Sequence, residues 1–297
     1  MGRSDKELGK SFMQIASKSL KLLPITCLIL TKNEERAIRD CLESVKFCQQ
    51  IVVFDSNSTD KTSDIVRENG SELINFTWNG TYPKKKQWAL QHPSIRNNWV
   101  LLLDADERVS KELSDSITEF FASGENSHAA FDVEIAYTFA NRLLKHGHQV
   151  SKRILLDRRK CTFPILNDLN VKNMWEVEGH YQPIVFGSLS QLKGKLLHAD
   201  PDSLFDYFSR HNRYSDWEAH LRINSEDRMI VRKAKSFQGR IFDRMPLKPL
   251  AFFIYSYFFR LGFLDGKAGL NYALALAYYY WQVSLKVDEG KHVSQIE

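Results

Sequence analysis

The sequence predicts an α/β protein with a doubly wound, mostly parallel sheet and a helical C-terminal extension. Up to about residue 127, short apolar segments alternate with amphipathic segments at helical spacing, as in sheets whose parallel strands are joined by helices. Strand-like segments follow from about residue 128, and after residue 202 the pattern becomes helical. The chain has 297 residues, of which 43% are hydrophobic and 26% charged, enough for one such domain with an appendage.

Each predicted element follows from its local pattern. Residues 25–30, ITCLIL, are continuously apolar, as in a strand covered on both faces. Residues 34–45 place apolar side chains on one helical face, and a second helix passes through Ile65 and ends at Gly70. The remaining predictions are strands at residues 50–54, 72–76 and 99–103, a helix at about 84–91, and strand-like segments at 130–136, 149–156 and 184–189.

The N-terminal residues and the cysteines favour a cytosolic protein. Residues 1–21 predict a flexible lead-in. The apolar stretch 22–30 contains Pro24 and lacks a small-residue cleavage site, which favours a strand over a signal peptide. The four cysteines form no CxxC pair and have no histidine at zinc-finger spacing. We therefore expect reduced thiols, with neither a structural zinc site nor a disulfide framework.

The strongest chemical signal is the segment Asp104-Ala105-Asp106-Glu107, directly after the predicted strand 99–103. Residues two apart on an extended segment share a face, so both aspartates can meet one cation at the carboxyl end of the sheet. Oxygen ligands at such a place suit Mg²⁺ or Mn²⁺ shared with a diphosphate. Capping of the following helix by these acids is the alternative.

Two more polar segments follow predicted strands. Asp55 ends the strand 50–54, where its carboxylate can accept from a nucleobase N–H or a ribose hydroxyl, whereas Ser58, Thr59 and Asp60 are expected to cap the next helix. Residues 31–34 follow the first strand, and a capped helix start explains them equally well. Because the carboxyl ends of parallel strands meet at one edge, all three segments are expected to converge.

These segments resemble the inverting glycosyltransferase family 2, whose fold is called GT-A. The resemblance is carried by ITCLILTKNEERAIRDCLESV, QQIVVFDSNSTDKTSDIV, KKKQWAL and WVLLLDADERVS. Two further segments, LKGKLLHAD and FFRLGFLDGKAGLNYALALAYYYW, are similar to lipopolysaccharide-core β-glucosyltransferases. The resemblance implies a catalytic domain at residues 22–200, with a nucleotide half at 22–127 and an acceptor half at 128–200. Residues 201–297 are the expected membrane-associating helical region.

The resemblance also implies roles for individual residues. Asp106 would bind the divalent metal, together with Asp104 beside the ribose and diphosphate. Asp55 would contact the uracil or ribose, and Lys86 would approach the base or phosphate; a solvated helix start is the alternative for residues 84–86. The nucleotide would be lined by Thr31, Asn33 and Glu34.

The general base departs from the family pattern. Such a base takes the proton of the acceptor hydroxyl as it attacks the sugar. His180-Tyr181 stands where the family commonly has His-Glu, so the expected glutamate is absent. The resemblance makes Glu178 the first candidate, with Glu176 and Asp168 behind it, unless these acids point outward from a hairpin. For His180 and His198 we expect hydrogen-bonding roles, and for Trp175 core packing rather than stacking on a sugar.

The net charge of +5 lies entirely in the C-terminal part. Residues 1–220 hold 29 basic and 29 acidic side chains, whereas residues 221–297 hold 12 and 7. A basic segment at 228–248 precedes apolar, tyrosine-rich stretches, which favours interfacial helices on an anionic membrane surface. A buried hairpin, a homodimer interface or a membrane span are the alternatives. Nucleic-acid binding is disfavoured because no recognition motif is present.

The sequence thus predicts a metal-dependent, inverting hexosyltransferase, peripheral on the inner face of the cytoplasmic membrane. Its donor would be a nucleotide sugar such as a UDP-hexose, and its acceptor an envelope glycan or lipid-linked glycan such as lipopolysaccharide core. Kinases, NAD-dependent dehydrogenases and α/β-hydrolases are disfavoured because their glycine-rich or nucleophile motifs are missing. The alternative is an inactive homologue that acts as a membrane-bound assembly partner.

Overall fold

A computed structural model describes residues 22–125, 127–179, 181–198, 203–234 and 247–293, together with residues 240 and 245. The predicted lead-in at 1–21 and part of the basic segment at 228–248 lie outside these residues. The strands are β1 (Leu23–Thr31), β2 (Cys48–Asp55), β3 (Glu72–Asn75), β4 (Trp99–Asp104), β5 (Glu107–Val109), β6 (His128–Phe139), β7 (Arg142–Leu143), β8 (Ser151–Asp157), β9 (Cys161–Thr162), β10 (Ile184–Val185) and β11 (Ser188–His198). The helices are α1 (Ile38–Ser44), α2 (Thr62–Glu68), α3 (Lys85–Gln91), α4 (Lys111–Ser123), α5 (Leu204–Ile223), α6 (Ser225–Ala234), α7 (Lys248–Ile254) and α8 (Gly266–Val293).

The main sheet is mixed, with the strand order β3-β2-β1-β4-β8-β6-β11-β5 and β7 paired to β6. The strands β3, β2, β1 and β4 are parallel, as predicted. The prediction of a mostly parallel sheet fails for the second half, because β8 runs antiparallel to both β4 and β6 and β5 runs antiparallel to β11. The α/β class is therefore confirmed, with a mixed sheet.

Two apolar cores lie on the two faces of the sheet. One joins Ile29 and Leu103 of the central strands to Leu42 of α1 and Leu113 of α4. The other joins alternate residues of the same strands, such as Leu28 and Leu102, to α3 and to part of the C-terminal region. Because both faces of β1 and β4 are covered, these strands are apolar throughout, which explains why their sequences do not alternate.

The C-terminal helices pack directly against the sheet. Trp217 and Leu221 of α5 and Val231 of α6 belong to the second core. Tyr272 and Ala275 of α8 form a third cluster with Phe139 of β6 and Leu144. Within the described residues, no helix is both long enough and apolar enough to cross a membrane.

The loop before β8 also holds the C-terminal region. Backbone N–H groups of Lys145 and His146 donate to Asp265 Oδ2 at 3.0 and 2.8 Å. The Gly147 N–H donates to the Arg260 carbonyl at 2.8 Å, and the His148 N–H donates to Ser256 Oγ at 3.1 Å. These bonds tie the turn between α7 and α8 to the strand that enters the centre of the sheet.

Candidate active site

The parallel strands end in polar groups at one edge of the sheet, as the sequence predicts. Thr31 of β1 pairs with Asp55 of β2, and Leu30 of β1 pairs with Asp104 of β4. Thr31 and Asp55 are buried, while the Asp104 side chain is 39% exposed. The ends of β1, β2 and β4 therefore meet in one place.

The loops after β1 and β2 are joined by a set of short hydrogen bonds. The Asn33 N–H donates to Ser58 Oγ at 2.8 Å, and the Asn33 side-chain oxygen accepts from the Thr59 N–H at 2.8 Å. The Glu34 N–H donates to Thr62 Oγ1 at 2.7 Å. Asn33 adopts a positive φ of 58°, a conformation that asparagine tolerates better than most residues. The two loops thus form one rigid rim.

Asp55 lies beneath this rim. Its carboxylate accepts from the Ser58 N–H at 2.8 Å and from Ser58 Oγ at 2.5 Å, and it is 1% exposed. The sequence predicts that Asp55 ends its strand and that the residues after it, up to Asp60, cap the next helix. In the structure Asp55 itself holds the turn, while the Asp60 carboxylate accepts from the Thr62 N–H at 3.0 Å.

Two neighbouring lysines at the start of α3, Lys85 and Lys86, lie in different environments. Lys85, which is 1% exposed, donates from Nζ to the Thr31 carbonyl at 2.8 Å and also contacts Ser56 Oγ. Burial lowers the pKa of Lys85 to about 8, against the opposing charges of Glu176, Asp55 and Asp104. Lys86, the residue chosen from sequence, is half-buried and acts on Asp104 through its charge. Lys85 therefore supports the rim, and Lys86 faces the acidic cluster.

The acidic segment after β4 encloses a buried lysine from β8. Lys152 Nζ lies 2.7 Å from Asp104 Oδ2 and 2.6 Å from Glu107 Oε2, and its side chain is 12% exposed. Burial raises the pKa of Asp104, but Lys152 and Lys86 more than offset this and hold it below its ordinary value. Burial keeps the pKa of Glu107 raised in spite of Lys152. Lys152 thus forms ion pairs with two carboxylates of the segment and offsets one of their negative charges.

Asp106 instead faces His198, at the end of β11. Asp106 Oδ2 and His198 Nε2 are 3.2 Å apart, and both side chains are about one-fifth exposed. The antiparallel pairing of β11 with β5, in which His198 lies opposite Glu107, brings the two groups together. Burial raises the pKa of Asp106, and the neighbouring His198 brings it below its ordinary value.

This pair is the part of the site that fits a divalent cation. Two ligands of an octahedral Mg²⁺, each about 2.1 Å from the ion, lie roughly 3 Å apart when adjacent, close to the observed 3.2 Å. The described residues contain no group of three or more histidine, cysteine or acidic side chains arranged around one ion. Mg²⁺ is commonly held by one or two carboxylates together with water and substrate phosphates, so Asp106 is a ligand of the usual kind, whereas the His198 nitrogen is a less usual ligand for this ion. Asp104, the second predicted ligand, is held by Lys152.

The three candidates for the general base have different surroundings. Glu178 is 2% exposed, and its oxygens accept from the Lys86 and Gln87 N–H groups at 2.6 and 2.8 Å. It therefore caps the N-terminus of α3, and burial raises its pKa. The Glu176 side chain is 21% exposed, with Oε1 3.9 Å from Lys85 Nζ. Of these two glutamates, Glu176 is the more accessible.

Asp168, the third candidate, is fully buried in a polar network. Its carboxylate accepts from Tyr82 Oη at 2.7 Å, from Lys84 Nζ at 3.1 Å and from Trp217 Nε1 at 2.9 Å. Both oxygens are occupied and neither is open to an acceptor. Asp168 thus joins the start of α3 to α5, which is a structural role.

Aromatic side chains cover the acidic segment from the C-terminal side. Tyr137 of β6 lies 5.3 Å from the His198 ring and 6.4 Å from Tyr272 of α8. Tyr214 of α5 lies 5.3 Å from Trp175, and the charges of Asp104 and Asp106 contribute to the raised pKa of Tyr214, which burial dominates. The C-terminal helices therefore complete one wall of the site.

Comparison with known proteins decides the family. Residues 26–181, more than half of the chain, match the family described as Glycosyl transferase family 2. The chain belongs to this family. The lipopolysaccharide core biosynthesis glycosyltransferase LpsC of Rhizobium meliloti is 27% identical over 278 residues, covering 89% of this chain and 94% of LpsC. The predicted resemblance to family 2 and to lipopolysaccharide-core enzymes is confirmed.

Two further relatives and one solved structure are similar to this family 2 glycosyltransferase over all or part of its length. A protein of Rickettsia typhi, named an uncharacterized glycosyltransferase, is 28% identical, covering 86% of this chain and 83% of the relative. A Rickettsia bellii glycosyltransferase is 35% identical, but the alignment covers 46% of this chain and 44% of that protein. A solved structure of Mycobacterium tuberculosis glucosyl-3-phosphoglycerate synthase with Mn²⁺, UDP and glucosyl-3-phosphoglycerate is 13% identical over 65% of this chain and 78% of that chain, with a TM-score of 0.39.

The structure agrees in part with the predicted placement of the candidate site residues, whose roles stay predictions. The sequence placed Thr31, Asp55, Asp104 and Asp106 at one edge, and the structure brings them there. It missed Lys152, which reaches the site only because β8 inserts beside β4, and it assigned His198 a hydrogen-bonding role. His180 lies outside the described residues. The hydrogen-bonding role predicted for His198, the last residue of the segment LKGKLLH, agrees with its hydrogen bond to Asp106.

Proposed function

We propose that this family 2 glycosyltransferase moves a hexose from a nucleotide sugar, a UDP-hexose, to a hydroxyl of an envelope glycan or lipid-linked glycan. The observation that carries the proposal is the convergence of Asp55, Asp104 and the Asp106–His198 pair at the carboxyl edge of the parallel strands. Ligands of open α/β sheets bind at this edge. The likeness to LpsC supports a lipopolysaccharide-core type of acceptor.

The donor is bound by the rim and the acidic segment. Thr31, Asn33 and Glu34 line the nucleotide, and Asp55 contacts the uracil or ribose from below the rim. Asp106 and His198 hold the divalent cation, Mg²⁺ or Mn²⁺, with Asp104 beside the ribose and diphosphate. When bound, that cation would supply positive charge that stabilises the departing diphosphate.

Lysines at the start of α3 provide further positive charge. The departing nucleoside diphosphate develops negative charge on a phosphate oxygen, which a positioned cation stabilises. Lys86 faces the acidic segment and is placed to meet that oxygen. Lys85 keeps the Thr31 carbonyl and Ser56 in position beneath the nucleotide.

The acceptor is activated by a carboxylate on the loop before β10. The base removes the proton of the acceptor hydroxyl as the oxygen attacks the anomeric carbon opposite the diphosphate, so one displacement inverts the configuration. Glu178 was the first candidate from sequence, but its helix-capping bonds favour Glu176 for this role. Glu178 then fixes α3, and through it Lys86, against the loop that carries Glu176.

We further propose that the enzyme is peripheral on the inner face of the cytoplasmic membrane. The supporting observations are the basic charge surplus of residues 221–297 and the many exposed apolar side chains of α7 and α8. A homodimer through this region is the alternative.

Nucleotide release tests the proposal. Purified protein is incubated with UDP-, GDP- and ADP-hexoses, with Mg²⁺, Mn²⁺ or chelator, and with an extracted lipopolysaccharide core as acceptor. Metal-dependent release from a UDP-hexose is expected, and Asp106→Asn should reduce it by at least 100-fold because a ligand of the cation is lost. Arg39→Gln, on the exposed surface of α1, is the matched control. Absence of turnover with every donor would favour the inactive assembly partner, which the missing family glutamate at Tyr181 also suggests.

A further inference from the structure

Residues 247–265 form an exposed apolar surface, which we call the apolar tip. It consists of α7, the π-helical turn Tyr255–Phe259 and the 3₁₀ turn Gly262–Asp265. The side chains of Leu247 and Phe259 are each 76% exposed, and those of Leu250, Phe258, Phe263 and Leu264 are exposed by 43% or more. Clusters of large apolar side chains on a surface of this extent mark a binding surface.

The inner side of the apolar tip is held in place by polar bonds and close packing. Ser256 and Gly262 are buried, and a Cβ at Gly262 would come within 2.7 Å of the Ser256 carbonyl oxygen. The Gly147 N–H donates to the Arg260 carbonyl at 2.8 Å. The backbone of the tip is therefore fixed while its apolar side chains point outward. A segment that merely lacked packing would not be fastened in this way.

The charges beside the apolar tip are positive. Arg260 and Lys267, within and just after it, are exposed, as are Arg142 and Lys145 of the neighbouring loop. The acid of this segment, Asp265, accepts from two backbone N–H groups at 2.8 and 3.0 Å. Apolar side chains surrounded by arginine and lysine match an anionic bilayer, whose surface attracts such cations and whose acyl region accepts the apolar groups.

A second copy of the chain fits this surface less well. In a symmetric dimer the same patch is used by both copies, so the four cations of each copy would be brought into one interface with those of the other. Like charges across an interface oppose association. The charge pattern therefore selects the bilayer as the occupant.

A short chain of contacts connects the apolar tip to the site. Tyr272 of α8 is six residues beyond the start of that helix and lies 6.4 Å from Tyr137, which lies 5.3 Å from His198. His198 Nε2 is 3.2 Å from Asp106. At 1.5 Å per helical residue, this chain of contacts keeps Asp106 within on the order of 25 Å of the tip.

We infer that the apolar tip enters the surface of an anionic bilayer and so presents the site to an acceptor sugar held close to that surface. The acceptor class is then a short glycan carried on a lipid, rather than a free soluble saccharide. This inference rests on the proposed transfer reaction for its acceptor, but its membrane part stands independently of catalysis.

Vesicle flotation with the full chain tests the membrane part. Phosphatidylcholine vesicles with and without phosphatidylglycerol are the probes. The double variant Phe258→Ser/Phe259→Ser is expected to bind the anionic vesicles on the order of 100-fold more weakly, because it lacks two phenyl groups that would be buried in the bilayer. Arg260→Gln/Lys267→Gln should weaken binding roughly tenfold and only where phosphatidylglycerol is present.

The matched control is Ile165→Ser/Phe186→Ser, whose side chains are 69% and 66% exposed but lie outside the apolar tip. It should float like the native chain. Flotation of the Phe258/Phe259 variant at the native level would overturn the inference. So would a change in its mass in solution from dimer to monomer with vesicle binding intact, since the tip would then be a subunit interface.

A second measurement tests the acceptor. The Phe258/Phe259 variant should retain native nucleotide-sugar binding and native transfer to a delipidated core glycan, and lose transfer to the same glycan on vesicles by tenfold or more. Equal loss on both acceptors would overturn the presentation role. No transfer to either acceptor by the native chain would instead contradict the proposed function, while flotation would still report on the tip.

Discussion

Single residues divide the acidic segment into two electrostatic units. Lys152 forms ion pairs with both Asp104 and Glu107, whereas Asp106 pairs with His198, the pair that we propose as the cation site. Asp104 and Asp106 are two residues apart in the sequence, but only tertiary structure gives them different partners. The role of the DxD pattern as a metal site therefore stays a prediction, and the structure shows that its two aspartates have different partners.

Replacement of Lys152 by methionine should destabilise the protein and strengthen cation binding. A buried carboxylate left without its partner costs about 3 kcal/mol, and removal of a positive charge beside Asp106 favours a divalent ion. Urea unfolding reports the first effect, and Mn²⁺ titration followed by electron paramagnetic resonance reports the second. Lys152→Arg keeps the charge and should change both only slightly. Lys152→Met/Glu107→Gln removes the more buried of the two unpaired carboxylates and should recover part of the stability. Its net charge equals that of the native chain, so Mn²⁺ binding weaker than native would contradict the assignment.

Replacement of the two glutamates before β10 should have different effects, one on the stability of the protein and the other on kcat. Glu178→Gln offers one oxygen where two N–H groups now donate, so a buried donor is left without a partner and unfolding should become about 1–3 kcal/mol easier. Glu176→Gln should leave stability nearly unchanged and lower kcat by about 10²–10⁴-fold, the range for loss of a general base. Steady-state kinetics and urea unfolding on both variants distinguish these outcomes. A kcat loss confined to Glu178→Gln would restore Glu178 as the base.

At the scale of elements, local patterns predicted strands and helices far better than their pairing. The apolar strands β1, β2 and β4 and the helix α3 lie within a few residues of their predicted positions. The insertion of β8 between β4 and β6 depends on the pairing of distant residues, such as Leu101 with Leu155, which no local pattern contains. Lys152 was missed for this reason, because its position opposite Asp104 follows from the antiparallel register of β8 with β4.

The junction between α3 and the rim should respond to pH through Lys85. Its pKa lies at about 8, below the ordinary 10.5, because burial disfavours the charged amine. As pH rises through about 8 the ammonium loses its proton and its hold on the Thr31 carbonyl, so UDP affinity should fall. The unfolded chain binds more protons between these two pKa values, so this group makes the fold more stable as pH rises across the same window.

Calorimetric titration of UDP over this pH window measures the affinity, and urea unfolding measures the stability. Lys85→Met is the control, since it carries no charge at any pH. Its UDP affinity should be low throughout and should lack the Lys85 step. A step of the same size in Lys85→Met would assign the pH dependence to another group.

At the scale of the whole molecule, the C-terminal helices pack against the sheet and also carry the apolar tip. The sequence placed a boundary at residue 200, and that division stays a prediction about function. Trp217 packs on Tyr181 with ring centroids 5.6 Å apart, and its Nε1 donates to the buried Asp168. The wall formed by Tyr214 and Tyr272 lies within this same region. We therefore expect that these helices are not a detachable membrane anchor.

Removal of the C-terminal helices should unfold the remainder. A chain ending at residue 202 exposes the second core and leaves the Lys84–Asp168 pair open to water, so we expect loss of the cooperative urea transition. Trp217→Phe in the full chain is the matched variant: it keeps the packing, loses one hydrogen bond to a charged group, and should cost about 1.5–3 kcal/mol with an unchanged denaturant slope. A shortened chain that unfolds at the native midpoint would show instead that residues 22–202 form an independent domain, and that the contacts of α5 with the second core contribute little to its stability.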